Sequence, residues 1–186
     1  MMFRNVAELI QLAESQGVKT AEIMIQQEIE VTGLSREEII AKMDRNLTVM
    51  EQAVERGLKG VTSVSGLTGG DAVLLQKYIQ SGKALSGNIL LDAVSKAVAT
   101  NEVNAAMGTI CATPTAGSAG VVPGTLFAVK EVLKPTRMEM IEFLFTSAAF
   151  GFVVANNAFI SGAAGGCQAE VGSAAGMAAA SIVEMA

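Results

Sequence analysis

The chain has 186 residues, of which 51% are hydrophobic and 17% charged, and its formal net charge is −5. This length suffices for one domain with a real core, and the lack of basic runs and of aromatic platforms argues against nucleic-acid binding. Histidine is absent, which excludes histidine-based triads and histidine zinc ligands. Two cysteines do not make a disulfide framework and no secretory signal opens the chain, so we expect a cytoplasmic protein.

The N-terminal third predicts three helices, over residues 6–16, 20–32 and 36–55. Asn5 is a suitable N-cap for the first helix, and Gly17 and Gly33 end the first two. Ser35 and Glu38 form an S-x-x-E capping box for the third. These first 55 or so residues are the most densely charged part of the chain, so we expect them to form a peripheral helical layer around a core made by the rest of the chain.

The remainder predicts five more helices joined by three glycine-rich loops, at residues 57–70, 108–124 and 156–167. The predicted helices cover about 71–80, 88–107, 123–133, 138–155 and 168–184. No strand alternation is found. The fold class that we predict is therefore all-α, a single helical domain with long helices joined by glycine-rich loops.

Residues 143–160 are apolar enough to be mistaken for a membrane span. Asn156, Asn157 and Gly151 interrupt the run, and no basic flank follows it to set an orientation. We expect a buried helix in a soluble core and no membrane partner.

The loop SVSGLTGGD at residues 63–71 combines hydroxyl groups, glycines and a carboxylate ahead of a helix. Backbone amides at such a helix start can hold a small anion, such as a substrate carboxylate. The candidate binding residues are Ser65, Gly66, Thr68, Gly69 and Gly70. The alternative is a plain connection between helices in which Asp71 serves as a capping residue. The loop lacks P-loop spacing, so a nucleotide site is not expected.

The loop TPTAGSAG at residues 113–120 has the same character. Its candidate binding residues are Thr113, Thr115, Gly117 and Ser118, and Asn101 just upstream is a further candidate. Asn101, Glu102 and Asn104 lie just upstream in an Ala- and Val-rich helix, and if they are buried they need partners in the loops or in a ligand. The alternative is again an ordinary turn, because Pro and Gly are common in turns.

Cys167 lies in the run SGAAGGCQAEVG, at a predicted helix N-terminus that favours the thiolate. A thiolate there could serve as a metal ligand or as a nucleophile. The alternative is an inert buried cysteine. Cys111, between Ile110 and Ala112, has the character of a small core residue.

Three strings together resemble the alpha chain of the iron-sulfur-dependent L-serine dehydratases: SGLTGGDA at 65–72, NEVNAAMGTICATPTAGSAGVVPG at 101–124 and SGAAGGCQAEVGSAAGMAAA at 161–180. They stand in the family's order, and the resemblance covers nearly the whole chain. It implies a helical catalytic domain over 1–186 that deaminates L-serine to pyruvate and ammonia, a lyase reaction of amino-acid catabolism and gluconeogenesis, with a 4Fe-4S cluster as cofactor.

The resemblance also implies that Cys167 is a metal ligand of this cluster. The family's other two ligands lie further downstream, in a C-D-P-V-A-G motif and a V-P-C end that this sequence does not contain. As given, the chain is expected to be a C-terminally truncated catalytic subunit in an apo form. In the family an iron with an open coordination position acts as a Lewis acid on the serine hydroxyl, and a base removes the α-proton.

With no histidine, a base from this chain must be a carboxylate, lysine, thiolate or alkoxide. Glu170, Asp71 and Glu102 are the candidates. The expected partners are L-serine and a beta subunit or beta domain with an ACT-type region, in an oligomer.

Three other interpretations of the sequence are open. The first is a non-enzymatic small-anion-binding or assembly module without a cluster, which would bind serine or pyruvate without iron. The second is a membrane-associated helical protein, which would depend on detergent. The third is a thiol enzyme using Cys167, although the chain has no histidine to activate that nucleophile.

Overall fold

The computed structural model describes residues 2–186, and these form eight α-helices and no strand. In chain order the helices are α1 (Val6–Gln16), α2 (Thr20–Thr32), α3 (Arg36–Leu58), α4 (Asp71–Gln80), α5 (Asn88–Ala105), α6 (Val121–Leu133), α7 (Arg137–Asn157) and α8 (Gly162–Met185). The predicted all-α fold, with long helices joined by glycine-rich loops, is confirmed. The helices pack into two compact units: unit 1 is the chain up to Leu47 with Pro135–Ala186, and unit 2 is Thr48–Lys134.

The N-terminal helices begin and end at the residues that the sequence indicates, except that α3 continues to Leu58, past its predicted end at about residue 55. Asn5 accepts a hydrogen bond of 2.9 Å from the amide of Glu8 through its side chain, and Gly17 ends α1 in a left-handed conformation. Ser35 and Glu38 make both bonds of the predicted capping box, at 2.9 and 3.2 Å. Local capping, by side chains at Asn5 and at the pair of Ser35 and Glu38 and by the left-handed backbone of Gly17, therefore sets these boundaries.

The core of unit 1 is built on α7, which packs against both α2 and α8. Its phenylalanines Phe143 and Phe145 are fully buried, and so are Ile23 and Ile25 of α2. The expectation that the N-terminal residues form only a peripheral layer is therefore wrong for α2. Its apolar face completes the core around α7, and only its remaining surface carries charge.

By length and composition alone, α7 could cross a membrane. Its most apolar 18-residue window has a mean hydropathy of 1.6, and 56% of that window is buried within the structure. The burial of this window and the packing of α7 against α2 and α8 agree with the prediction of a buried helix in a core.

A carboxylate near the C-terminal end joins three helices of unit 1. Glu184 of α8 accepts hydrogen bonds from the amide of Thr20 at 2.6 Å, the hydroxyl of Thr20 at 2.8 Å and the amide of Ala21 at 3.3 Å. The hydroxyl of Thr146 in α7 donates a further bond. Because α2 has no side-chain cap of its own, Glu184 supplies the missing acceptor at that N-terminus.

Unit 2 is built around α5, which packs against α4 and α6. Small residues permit a close approach: a Cβ added to Gly120, at the start of α6, would lie 2.2 Å from the carbonyl oxygen of Ala97. Lys96 is mostly buried, pairs with Asp92 at 2.5 Å and donates 2.7 Å to the carbonyl oxygen of Phe127. These contacts fix the register of α5 between its neighbours.

The third glycine-rich loop, predicted over 156–167, is shorter in the structure. The helix α7 continues to Asn157, and α8 begins at Gly162, where the side chain of Ser161 accepts a hydrogen bond from the amide of Ala164. The predicted end of the loop, at residue 167, corresponds to a break inside α8. The break is at Gly166, whose φ of 77° and ψ of 171° are not helical. Glycine adopts this conformation without steric penalty.

Candidate functional site

Both predicted binding loops are attached to the last two turns of α5. Oε1 of Glu102 accepts a hydrogen bond of 2.6 Å from the amide of Asp71, where the first loop enters α4. Nδ2 of Asn104 donates 3.0 Å to the carbonyl oxygen of Ala116 in the second loop. Two of the three polar residues singled out in this helix therefore hold the loops in place, and the third, Asn101, is exposed.

The first loop is closed by hydrogen bonds within itself. The amide of Ser63 donates 2.8 Å to the carbonyl oxygen of Thr68, and the amide of Thr68 donates 3.2 Å to the hydroxyl of Ser63. The hydroxyls of Ser63 and Ser65 are 3.2 Å apart. A Cβ on Gly69 would lie 2.1 Å from the carbonyl oxygen of Val61, so this glycine permits the two ends of the loop to approach each other closely. Among the candidate binding residues of this loop, Ser65, Gly66 and Thr68 are exposed and Gly69 and Gly70 are half-buried.

The N-terminus of α4 already holds an anion from the chain itself. The amide of Asp71, the first in the helix, donates to the carboxylate of Glu102. We expected a substrate carboxylate at this position, and the side chain of Glu102 takes the first amide instead. A helix N-terminus attracts negative charge, which explains why a carboxylate is accommodated there.

The second loop uses its buried hydroxyl groups to hold its own shape. The hydroxyl of Ser118 donates 3.0 Å to the carbonyl oxygen of Thr113 and lies 3.1 Å from the hydroxyl of Thr115. The peptide bond between Thr113 and Pro114 is cis. Thr113 and Ser118 are buried, Thr115 is half-buried and Gly117 is exposed. The groups that this loop offers to a ligand are therefore those around Thr115 and Gly117.

Between the two loops in sequence, α5 ends in a turn that sequence analysis did not identify. The amide of Gly108 donates 2.8 Å to the carbonyl oxygen of Val103, and the amide of Met107 donates 3.0 Å to that of Asn104. This pair of bonds is a Schellman motif, which normally has glycine at the position that Met107 occupies. Met107 has a φ of 61° and is 85% exposed. Strain of this kind in a bulky residue is uncommon and clusters near functional sites.

Arg56 of α3 approaches the same turn. A Cβ on Gly108 would lie 2.8 Å from Nη1 of Arg56 and 2.5 Å from Cγ1 of Val103. Gly108 therefore leaves room for a guanidinium group beside the end of α5. The only sequence signal for this contact is the glycine itself, directly after a helix.

Cys167 and Glu170 lie in unit 1. Cys167 directly follows the break at Gly166 and so lies at the start of a helical segment, and it is exposed, which differs from the alternative of a buried cysteine. Glu170 is half-buried, and a Cβ on Gly162 would lie 2.8 Å from its Oε2, so its carboxylate rests against the turn that opens α8. Of the three candidate bases, Asp71 and Glu102 meet in unit 2, and Glu170 lies in unit 1.

The two cysteines differ in their surroundings. Cys111 is half-buried, and burial raises the pKa of its thiol, which favours the protonated, less reactive form. Within residues 2–186 no group of three or more histidine, cysteine, aspartate or glutamate side chains is arranged to hold a metal ion. Cys167 is thus an accessible thiol that belongs to no such group of three in the described part of the chain.

Comparison with protein families matches residues 15–186 to the model of the serine dehydratase alpha chain. The chain is 74% identical over 185 residues to a probable L-serine dehydratase alpha chain of Bacillus subtilis, covering 100% of this chain and 62% of that protein. It is 38% identical over 186 residues to the L-serine dehydratase alpha chain of Peptoniphilus asaccharolyticus, covering 99% of this chain and 63% of that protein.

An L-serine dehydratase of Haemophilus influenzae is 30% identical over 189 residues, with 98% of this chain and 41% of that protein covered. The chain therefore spans less than two thirds of the length of these relatives. The family match extends through both loops of unit 2 and through the Cys167 segment of unit 1. The chain belongs to the serine dehydratase alpha-chain family.

Proposed function

We propose that this chain is the catalytic part of an enzyme that converts L-serine to pyruvate and ammonia. The observation that carries the proposal is the 74% identity over the whole chain to a protein named as a probable L-serine dehydratase alpha chain. Identity at this level over the whole chain supports a shared reaction as well as a shared fold.

In this proposal the two loops held by α5 bind the substrate. The exposed hydroxyl groups of Ser65 and Thr68, together with the backbone amides around Thr115 and Gly117, are suitable donors for a carboxylate. Glu102 and Asn104 anchor these loops on one helix, so the donors are preorganised by a rigid element rather than by the loops alone.

The proton at Cα of serine requires an acceptor. Asp71, Glu102 and Glu170 are the carboxylates proposed for this role, since no histidine is present. Asp71 is exposed at the head of α4, Glu102 is buried behind it, and Glu170 lies one turn after Cys167 in α8. Removing each carboxylate separately, as Asp71→Asn, Glu102→Gln and Glu170→Gln, distinguishes them by the loss of kcat.

For the cofactor, we propose that Cys167 supplies one thiolate ligand to a 4Fe-4S cluster. Its exposure and its small neighbours leave room for such a group, and thiolate is the ligand that iron-sulfur clusters take. The donor set in residues 2–186 does not fit a complete cluster, because no second cysteine joins it in a metal-binding group. The remaining ligands would have to come from polypeptide outside this sequence.

The alpha-chain names of the relatives support a further proposal, that the chain works with a beta subunit or beta domain in an oligomer. We propose the cytoplasm as its location, because an oxygen-sensitive cluster and free thiols both require reducing conditions.

Anaerobic reconstitution with iron and sulfide tests the function. We would compare this chain with a form of the length of its alpha-chain relatives, each with its partner subunit, and measure iron and sulfide content and pyruvate formed from L-serine. In the longer form, Cys167→Ser should abolish both the cluster and turnover, while Cys111→Ser should leave both largely intact. Equal loss in the two variants would overturn the ligand assignment.

The second candidate function is a small-anion-binding module without a cluster, which is favoured by the lack of a metal-binding group in the described residues. It predicts that serine or pyruvate binds equally well with and without iron. A folded protein that binds serine but forms neither cluster nor pyruvate in the longer form would favour this candidate over the dehydratase.

A further inference from the structure

The carboxylate of Glu102 is buried with one oxygen unsatisfied. The residue is 6% exposed, and its Oε1 accepts the bond from the amide of Asp71. Its Oε2 is buried and has no hydrogen-bond partner in residues 2–186. An ionised carboxylate offers about four acceptor positions, and leaving an oxygen of a buried charge unpaired is costly. Native structures rarely keep such an atom without a functional reason.

Anchoring the first loop does not require this charge. The carbonyl oxygen of a glutamine side chain would also accept the bond from Asp71, although more weakly than a carboxylate, and it would carry no charge into the interior. Within the described residues Glu102 also makes no ion pair with a lysine or arginine. The helix N-terminus stabilises this negative charge through Oε1 alone, and a cationic donor from outside the chain would complete the bonding of Oε2.

The surroundings of Glu102 indicate the kind of cation. The loops anchored by Glu102 and by Asn104 offer hydroxyl and amide donors, which suit the carboxylate of a small molecule. A ligand that brings a carboxylate to these donors and a hydrogen-bonding cation to Oε2 is an α-amino acid. Its ammonium group carries a positive charge and three N–H donors, so it can donate a hydrogen bond to a carboxylate oxygen that has no partner.

An ammonium group can reach the buried Oε2 only if neighbouring chain moves aside, and the first loop adjoins Glu102 through the bond from the amide of Asp71. Val64 and Leu67 are 90% and 87% exposed, and the loop's hydrogen bonds between Ser63, Gly66 and Thr68 are internal to it. The loop can therefore move as a unit without breaking these bonds, while the bond from Asp71 to Oε1 holds its C-terminal end. Segments with exposed side chains and few contacts to the core open at low free energy.

We propose that Oε2 of Glu102 binds the α-ammonium group of L-serine, while Oε1 keeps its bond to the amide of Asp71. This assignment rests on the proposed function, which supplies the substrate. It makes Glu102 a substrate-binding residue, and it leaves Asp71 and Glu170 as the candidate bases. It also gives a reason for a glutamate at a buried position where glutamine would serve the loop.

Substrate and inhibitor kinetics test the proposal on the protein co-expressed with its partner subunit and purified anaerobically. The ligands are L-serine and 3-hydroxypropionate, which is serine without its amino group and is used as a competitive inhibitor. Glu102→Gln should raise KM for L-serine about 10- to 100-fold, the range for a lost hydrogen bond to a charged group. The Ki of 3-hydroxypropionate should stay within about twofold. Glu131→Gln, an exposed carboxylate in α6, is the matched control and should change neither constant.

A rise of KM and Ki by the same factor in Glu102→Gln would mean that Glu102 only shapes the loop, and the proposal would be overturned. Unchanged constants would overturn it too. Glu102→Asp keeps the charge but shortens the side chain by one methylene group, so it should weaken the binding of L-serine more than the binding of 3-hydroxypropionate. This variant provides the test if Glu102→Gln does not fold. A wild-type protein that holds its cluster but does not turn over L-serine would instead remove the proposed function, and this inference with it.

Discussion

Gly57 of α3 lies directly against Ala99 of α5, so closely that a Cβ on Gly57 would be 2.2 Å from the carbonyl oxygen of Ala99. Gly120 and Gly124 make the same kind of contact with Ala97 from the side of α6. The helix that carries Glu102 and Asn104 is therefore held between glycines on both neighbours within unit 2. Close packing of this kind fixes the position of the residues that anchor the loops.

The first prediction concerns this contact. Gly57→Ala should lower the free energy of unfolding by about 1–3 kcal/mol, because the added methyl group meets backbone that cannot move aside as a side chain could. Gly176→Ala in α8 is the matched control, since nothing lies within 4 Å of its Cβ position, and it should stabilise by about 0.5–1 kcal/mol through helix propensity. Urea unfolding of both variants measures the difference. Stabilisation of similar size in both would show that α3 can shift away from α5.

The second prediction concerns the strained end of α5. Met107→Gly should raise the free energy of unfolding by about 1 kcal/mol, because glycine adopts a φ of 61° without the penalty of a side chain. The side chain of Met107 is 85% exposed, so its removal loses little packing. Met107→Ala removes the same side chain without relieving the strain and should not stabilise. A thermal shift that is equal in the two variants would contradict the role assigned to φ.

The sequence predicts the local structure well because its signals are local. Asn5, the pair of Ser35 and Glu38, and Gly17 act within one turn of the helices that they bound, and each boundary lies where it was predicted. Likewise, the polar cluster in α5 was correctly singled out as needing partners. Glu102 and Asn104 find those partners in the two loops.

Contacts between distant residues were not predictable in this way. Glu184 caps α2 from 164 positions away along the chain, and neither periodicity nor capping rules address such a pair. The same limit explains why α2 was assigned to a peripheral layer, because its burial depends on α7 rather than on its own sequence. Met107 was missed because a glycine is the usual signal for that turn, and here Gly108 stands one position later.

The third prediction concerns the cap that Glu184 provides. Glu184→Ala should lower the free energy of unfolding by about 2–3 kcal/mol, because it leaves the first amides of α2 and the hydroxyl of Thr146 without their acceptor. Urea unfolding measures the loss, and hydrogen exchange at Thr20 and Ala21 should accelerate first.

Glu142→Ala is the control for Glu184→Ala. Glu142 pairs with Lys19 at the surface of the same unit, with side chains 30% and 52% exposed, so its loss should cost less than about 1 kcal/mol. An equal loss of stability in the two variants would show that surface charge, rather than the capping of α2, accounts for the effect.

The last prediction uses the difference between the two thiols. In the apo chain, iodoacetamide at neutral pH should modify Cys167 more than about tenfold faster than Cys111, because Cys167 is exposed and burial raises the pKa of the Cys111 thiol. The thiolate fraction of Cys111 is small below its raised pKa and grows as the pH approaches that value, so the rate of alkylation of Cys111 should rise steeply with increasing pH. Mass spectrometry of the alkylated peptides measures both rates. Cys167→Ser should leave only the slow reaction, and Cys111→Ser should leave only the fast one. A slow reaction in Cys111→Ser would contradict the prediction, because it would mean that the turn around Gly166 shields Cys167 from reagents and therefore also from a metal.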